Sequence, residues 1–147
     1  GIVIQLHIVS MFLPSLITGN LIKKFGHSKI IYAGVALYIL TILLSFLEPS
    51  FFNYILALVF LGLGWNFLYL SGTGLLVLSY RDEENYKAKG FNDVLVFSIQ
   101  ALASLSAGYM LNITSWKAMN LITIPFLVLI IFSSIRADLS KDGKLKN

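Results

Sequence analysis

PSFFNYILALVFLGLGWNFLYLSGTGLLVLSY, residues 49–80, holds not one Asp, Glu, Lys or Arg. A helix needs about 20 mostly apolar residues to cross the hydrocarbon of a bilayer, and this run exceeds that. If helical from Phe51 to Tyr80, it would measure about 45 Å against roughly 30 Å of hydrocarbon. It must therefore tilt, bend near Gly62 and Gly64, or project beyond the bilayer. Four other stretches are equally free of charge: Gly1 to Ile22, Ile30 to Leu47, Val94 to Trp116 and Ala118 to Ile135. Lipid offers no water to bare backbone groups, so α-helix is the expected state of all five. The chain reads as an all-α integral membrane protein, a polytopic transmembrane bundle. Its helices fall at about 1–22, 30–48, 51–80, 90–113 and 117–136, followed by a cytoplasmic tail at 137–147.

Composition supports a lipid environment. Hydrophobic residues make up 57% of the chain and charged ones 12%, where a soluble domain carries about 25% charged residues. The net charge of +4 does not point to nucleic acid, because the basic residues lie in loops beside apolar spans and form no aromatic-interleaved polar face. The absence of cysteine removes disulfides, thiolate chemistry and Cys-ligated metal, and no cofactor or metal site is expected. The chain starts at Gly1 inside an apolar span, without an initiator Met or the charged segment that opens a signal peptide. The expectation is a piece of a longer protein.

The charges give an orientation. Lys23, Lys24 and Lys29 lie in the first loop, Arg81, Lys87 and Lys89 in the third, and Arg136, Lys141, Lys144 and Lys146 in the tail. Of the 11 basic residues, only Lys117 falls on the other side. The positive-inside rule predicts that the Lys-rich side and the C-terminus are cytoplasmic, with the loops near Glu48 and Lys117 external.

Polar residues gather on three of the five spans. At 100° per residue, His7, Ser10, Pro14 and Thr18 share a face of the first, Gly62, Asn66, Tyr69 and Thr73 a face of the third, and Asp93, Phe97, Gln100 and Ser104 a face of the fourth. These faces predict a polar cavity walled by spans one, three and four, with spans two and five outside against lipid. His7, Trp65, Asn66, Tyr69, Thr73 and Gln100 are its candidate lining. Each polar residue also has a plainer reading. Asn66 and Gln100 can bond helix to helix, though two amides at similar depth favour a cavity. His7 can be a neutral, satisfied histidine or a proton carrier. Asp93 lies within about a turn of the cytoplasmic edge, where a carboxylate suits a helix N-terminus and a structural or gating role.

The loop between the first two spans, Gly19-Asn20-Leu21-Ile22-Lys23-Lys24-Phe25-Gly26-His27-Ser28-Lys29, resembles the cytoplasmic signature of the major facilitator superfamily. Gly19, Lys24, Gly26 and Lys29 match that pattern. Lys23 stands where Asp is usual, and His27 and Ser28 weaken the basic pair, a departure that suggests the copy in the second half of such transporters. Met11-Phe12-Leu13-Pro14-Ser15, Gly62-Leu63-Gly64-Trp65-Asn66-Phe67, Ser71-Gly72-Thr73 and Asn92-Asp93-Val94-Leu95-Val96-Phe97 are similar to helices 8, 10 and 11 of bacterial members. The resemblance implies helices 8 to 12 of a twelve-helix fold, with the preceding helices of the same protein as partners.

It also implies secondary active transport of a small solute by rocking of two halves, driven by a proton or other coupling ion, in a bacterial inner membrane. Gly19, Lys23, Lys24, Gly26, Lys29 and Asp93 would then form the cytoplasmic gate, the lysines meeting Asp82, Glu83, Glu84 or Asp93. An enzyme is not expected: it would need paired carboxylates, a Ser/His couple or a His/Asp cluster at one depth, but His7 and Asp93 lie near opposite faces of the bilayer. The rival reading is a membrane scaffold or assembly subunit, which small-residue packing serves equally well.

Overall fold

The computed structural model describes residues 1–145, with the side chains of all but 82, 83 and 139–145. Seven helices follow one another: α1 Ile2–Phe12, α2 Ser15–Phe25, α3 His27–Leu44, α4 Phe51–Leu78, α5 Asp82–Ile113, α6 Trp116–Leu121 and α7 Ile124–Leu145. No strand occurs among the described residues. Helices α3, α4 and α5 and the stretch Trp116–Asp138 are long and apolar enough to cross a membrane. The α1–α2 pair, bent by 40°, makes a fifth span if it crosses as one.

Proline causes the first break. Pro14 has no N–H for the Ser10 carbonyl one turn back, so α1 stops at Phe12 and α2 restarts at Ser15. A nearby hydroxyl takes up a carbonyl that the broken helix exposes: Ser15 Oγ donates to Phe12 O at 2.6 Å. The last span repeats the device ahead of Pro125, where α6 ends and α7 begins. There Asn120 Nδ2 donates to Trp116 O at 2.8 Å and Thr123 Oγ1 to Asn120 O at 2.7 Å.

The central helix is α4, which packs most extensively on α3 and next on α1. It runs as one unbroken helix from Phe51 to Leu78, through Gly62 and Gly64. They are contact points on two faces. A Cβ on Gly62 would lie 2.6 Å from the His7 carbonyl oxygen, and one on Gly64 would lie 3.1 Å from that of Gly34 on α3. Glycine thus lets α1 and α3 reach the α4 backbone, the small-residue packing that associates helices in lipid. Around the Gly34–Gly64 crossing, Ile31, Val35, Ile42 and Leu127 form a core with Tyr38, Leu68 and Leu75 packed on it.

Two boundaries differ from the sequence expectation. The fourth helix begins at Asp82 and not near Gly90, which is an interior position with open space around it. An acidic stretch of sequence at 82–84 suits a helix N-terminus, and one exposed glycine costs only about 1 kcal/mol. Helix α7 continues through most of the expected tail to Leu145, and residues 146–147 lie outside the described residues.

Candidate functional site

Helices α1, α4 and α5 converge on a cluster of aromatic rings. Trp65 and Tyr69, one turn apart on α4, stack at 4.8 Å with 12° between planes. Phe97 of α5 meets both, edge-on to Tyr69 at 5.7 Å and tilted to Trp65 at 6.3 Å. Phe12 of α1 closes the group with an edge on Trp65 at 5.7 Å. Such offset and edge-to-face pairs are the favoured aromatic geometries. The wall is not sealed: Trp65 and Tyr69 are half-buried, while Phe97 and Phe12 are 41% and 49% exposed.

Polar groups continue the wall along the α4–α5 seam. Tyr69 Oη donates to Asp93 Oδ1 at 2.8 Å, and Lys89 Nζ lies 2.9 Å from Asp93 Oδ2. One turn further on α4, Thr73 Oγ1 accepts from Asn92 Nδ2 at 3.3 Å. Antiparallel helices produce this order, since Trp65 and Tyr69 are four apart on one and Phe97 and Asp93 four apart on the other. At the other end of the row Gln100 follows Phe97 on α5, with its Oε1 sheltered from solvent and without a hydrogen-bond partner in the structure. Buried acceptors are normally satisfied, which makes an unpaired one unusual.

Asn66 lies between α4 and the first two helices. It is 2% exposed and accepts from Thr18 Oγ1 at 2.7 Å while donating to Met11 O at 2.7 Å. Both ends of the amide hold α4 to α1 and α2, so Asn66 positions the wall and does not line it. His7 is likewise a joint: its Nδ1 lies 2.7 Å from the Leu58 carbonyl, which can only accept, so Nδ1 carries the proton.

Among the described residues the single ion pair is Lys89–Asp93, so Lys23, Lys24 and Lys29 do not meet Asp93 or Glu84. The side chains of Asp82 and Glu83 lie outside the described residues. Gly19 stands in open space, and Gly26 turns the chain between α2 and α3 at φ +85° and ψ 160°. Beyond that turn His27 Nδ1 donates to Ser71 O at 3.2 Å, and its ring lies against Gly74, where a Cβ would overlap it. Ser28 Oγ donates to Asp138 Oδ1 and Tyr32 Oη to Asp138 Oδ2, tying α3 to α7.

Sequence reasoning did not place Phe12, His27, Tyr32 or Asp138 at either site. Phe12 sits beside Met11, whose carbonyl Asn66 holds, and aromatic residues flanking a polar joint are a usable signal. No local pattern links Ser28 to an aspartate 110 positions away.

Known proteins resemble the chain in sequence. The Major Facilitator Superfamily model matches residues 1–146. The riboflavin transporter RfnT of Brucella anthropi is 34% identical over 128 residues, which is 87% of this chain and 32% of that protein. Two MFS-type transporters of Bacillus subtilis, YddS and YdeG, are 37% and 36% identical over 82% and 83% of the chain and 28% and 29% of their own lengths. The chain thus spans about a third of the relatives it matches. No solved structure gives a significant match.

Proposed function

The chain belongs to the major facilitator superfamily, and from that membership we propose that the whole protein carries a small, planar, conjugated solute across the cell membrane. The wall of Trp65, Tyr69 and Phe97 supplies a face for a flat ring, and the free Oε1 of Gln100 accepts from an N–H or O–H on it. The partly open aromatic wall is the observation that carries the reading. A pocket of apolar surface with a few placed polar groups is the usual form of a small-molecule site. Riboflavin, which the RfnT name specifies, has this chemistry and is the first solute to try. The relatives are transporters by name, and nothing in the wall calls for an enzymatic step.

Transport runs by alternating access, with the energy drawn from an ion gradient and the C-terminus in the cytoplasm. The test is concentration-dependent riboflavin uptake into vesicles holding the whole protein, with and without a proton or sodium gradient. Gln100→Ala is expected to weaken apparent affinity about fivefold, the value of one neutral hydrogen bond of about 1 kcal/mol, with expression unchanged. Unaltered affinity would remove Gln100 from the site. No movement of solute under any gradient would leave a scaffold.

The gate centres on Gly26. Its positive φ with extended ψ is nearly exclusive to glycine and costs other residues about 1–3 kcal/mol. Gly26→Val is expected to slow transport severalfold while the protein still inserts, because no Cβ clash accompanies the strain. A wild-type rate would reduce the turn to a connector.

A further inference from the structure

At the opposite end of the bundle from Gly26 lies a cavity of about 430 Å³ that has no part in the aromatic site. Such a volume falls within the span of small-molecule pockets, about 300–1,000 Å³. Its walls come from the loop after α3, the first turn of α4 and the start of α6. They are firmly made. Ser50 Oγ accepts from Asn53 N at 3.1 Å, Asn53 Nδ2 donates to Glu48 O at 2.8 Å, and the Tyr54 and Trp116 rings meet edge-on at 5.7 Å.

Glu48 and Lys117 both line this one cavity, yet they do not pair. The Lys117 ammonium sits 4.7 Å from the centre of the Phe46 ring, drawn over the loop without a carboxylate partner. Two exposed opposite charges that line one cavity without pairing match a ligand that carries both charges itself, because each can then be met by a charge-assisted hydrogen bond. Location narrows the chemistry. The cavity lies at the ends of α3 and α4, which are long and apolar enough to span hydrocarbon, and so at headgroup depth. Tyr and Trp rings are enriched at that depth. Among the described residues Lys117 is also the only basic one at this end of the bundle.

We propose that this cavity binds a phosphoethanolamine group, its phosphate on Lys117 and its primary ammonium on Glu48. A membrane lipid carries that group at the right depth, and a free zwitterion in solution carries the same charges. The site is separate from the aromatic wall and stands whether or not the transported solute is planar.

The experiment is photolabelling of the whole protein in nanodiscs with a diazirine-bearing phosphatidylethanolamine, followed by mapping of the labelled peptides. Label is expected on the segments around Glu48 and Trp116, displaced by excess phosphatidylethanolamine but not by phosphatidylglycerol, which has the phosphate without the ammonium. Glu48→Gln and Lys117→Gln should each reduce that label about tenfold, the loss of one charge-assisted bond, while Lys24→Gln leaves it unchanged. Displacement by millimolar soluble phosphoethanolamine would assign the site to a free zwitterion, and failure of it to displace would assign the site to lipid. Equal displacement by phosphatidylglycerol, or labelling indifferent to both substitutions, would overturn the proposal, and the competition on unsubstituted protein decides this even if a variant misfolds.

Discussion

Gly62→Val is expected to be among the most damaging single substitutions in the bundle. A Cβ at this position would lie 2.6 Å from His7 O, 2.8 Å from Ser10 Cβ and 3.1 Å from Met11 N. Two of these are backbone atoms and the third is fixed to one, so no side-chain rotation makes room. Helix α1 must move away from α4, and with it go the His7–Leu58 and Asn66–Met11 bonds, both 2.7 Å. Overpacking alone costs about 1–3 kcal/mol, and each lost interhelical bond adds about 0.6 kcal/mol. The sum of roughly 2–4 kcal/mol is a large part of a domain's stability. The variant should give little monodisperse protein in detergent and a thermal midpoint several degrees lower. Gly19→Ala, with nothing within 4 Å of the added atom, is the matched control and should behave as wild type. Wild-type stability of Gly62→Val would mean that α1 does not approach α4 as described.

What the sequence could and could not convey follows from the same geometry. Runs without charge locate the membrane helices because lipid penalises charge wherever it falls along a span. The breaks at Pro14 and ahead of Pro125 come from residues visible in the sequence, but the side chains that satisfy the exposed carbonyls, such as Ser15 and Thr123, depend on local packing. Helical periodicity put Gly62, Asn66, Tyr69 and Thr73 on one face of α4, and they do share it. It did not say that the partner changes along that face. Near Gly62 and Asn66 the neighbours are α1 and α2, whereas Tyr69 and Thr73 meet α5. Periodicity fixes an azimuth, while the neighbour at each depth is set by how the other helices tilt. That is why Asn66 reads as a cavity residue in sequence and proves to be a joint. Asp93 shows a related limit: its charge stands out in the sequence, but Lys89 one turn back and Tyr69 across the seam, not the loop lysines, are its partners.

Trp65 is where the functional account is most exposed. Its ring stacks on Tyr69, touches Phe97 and Phe12, and remains half-buried, and on the proposed reading a flat solute lies against it. Stacking of a conjugated ring on an aromatic side chain is worth about 1–3 kcal/mol by alanine substitution, or roughly 5- to 150-fold in affinity. Trp65→Phe keeps a ring in place and should lose only a small part of this. The direct measurement is equilibrium binding of riboflavin to the purified whole protein and to both variants, each first shown by its thermal midpoint to be folded. The account predicts binding by the wild type, weakening of at least about fivefold in Trp65→Ala, and most of the affinity retained in Trp65→Phe. Riboflavin or a related planar solute bound equally well by all three would contradict it.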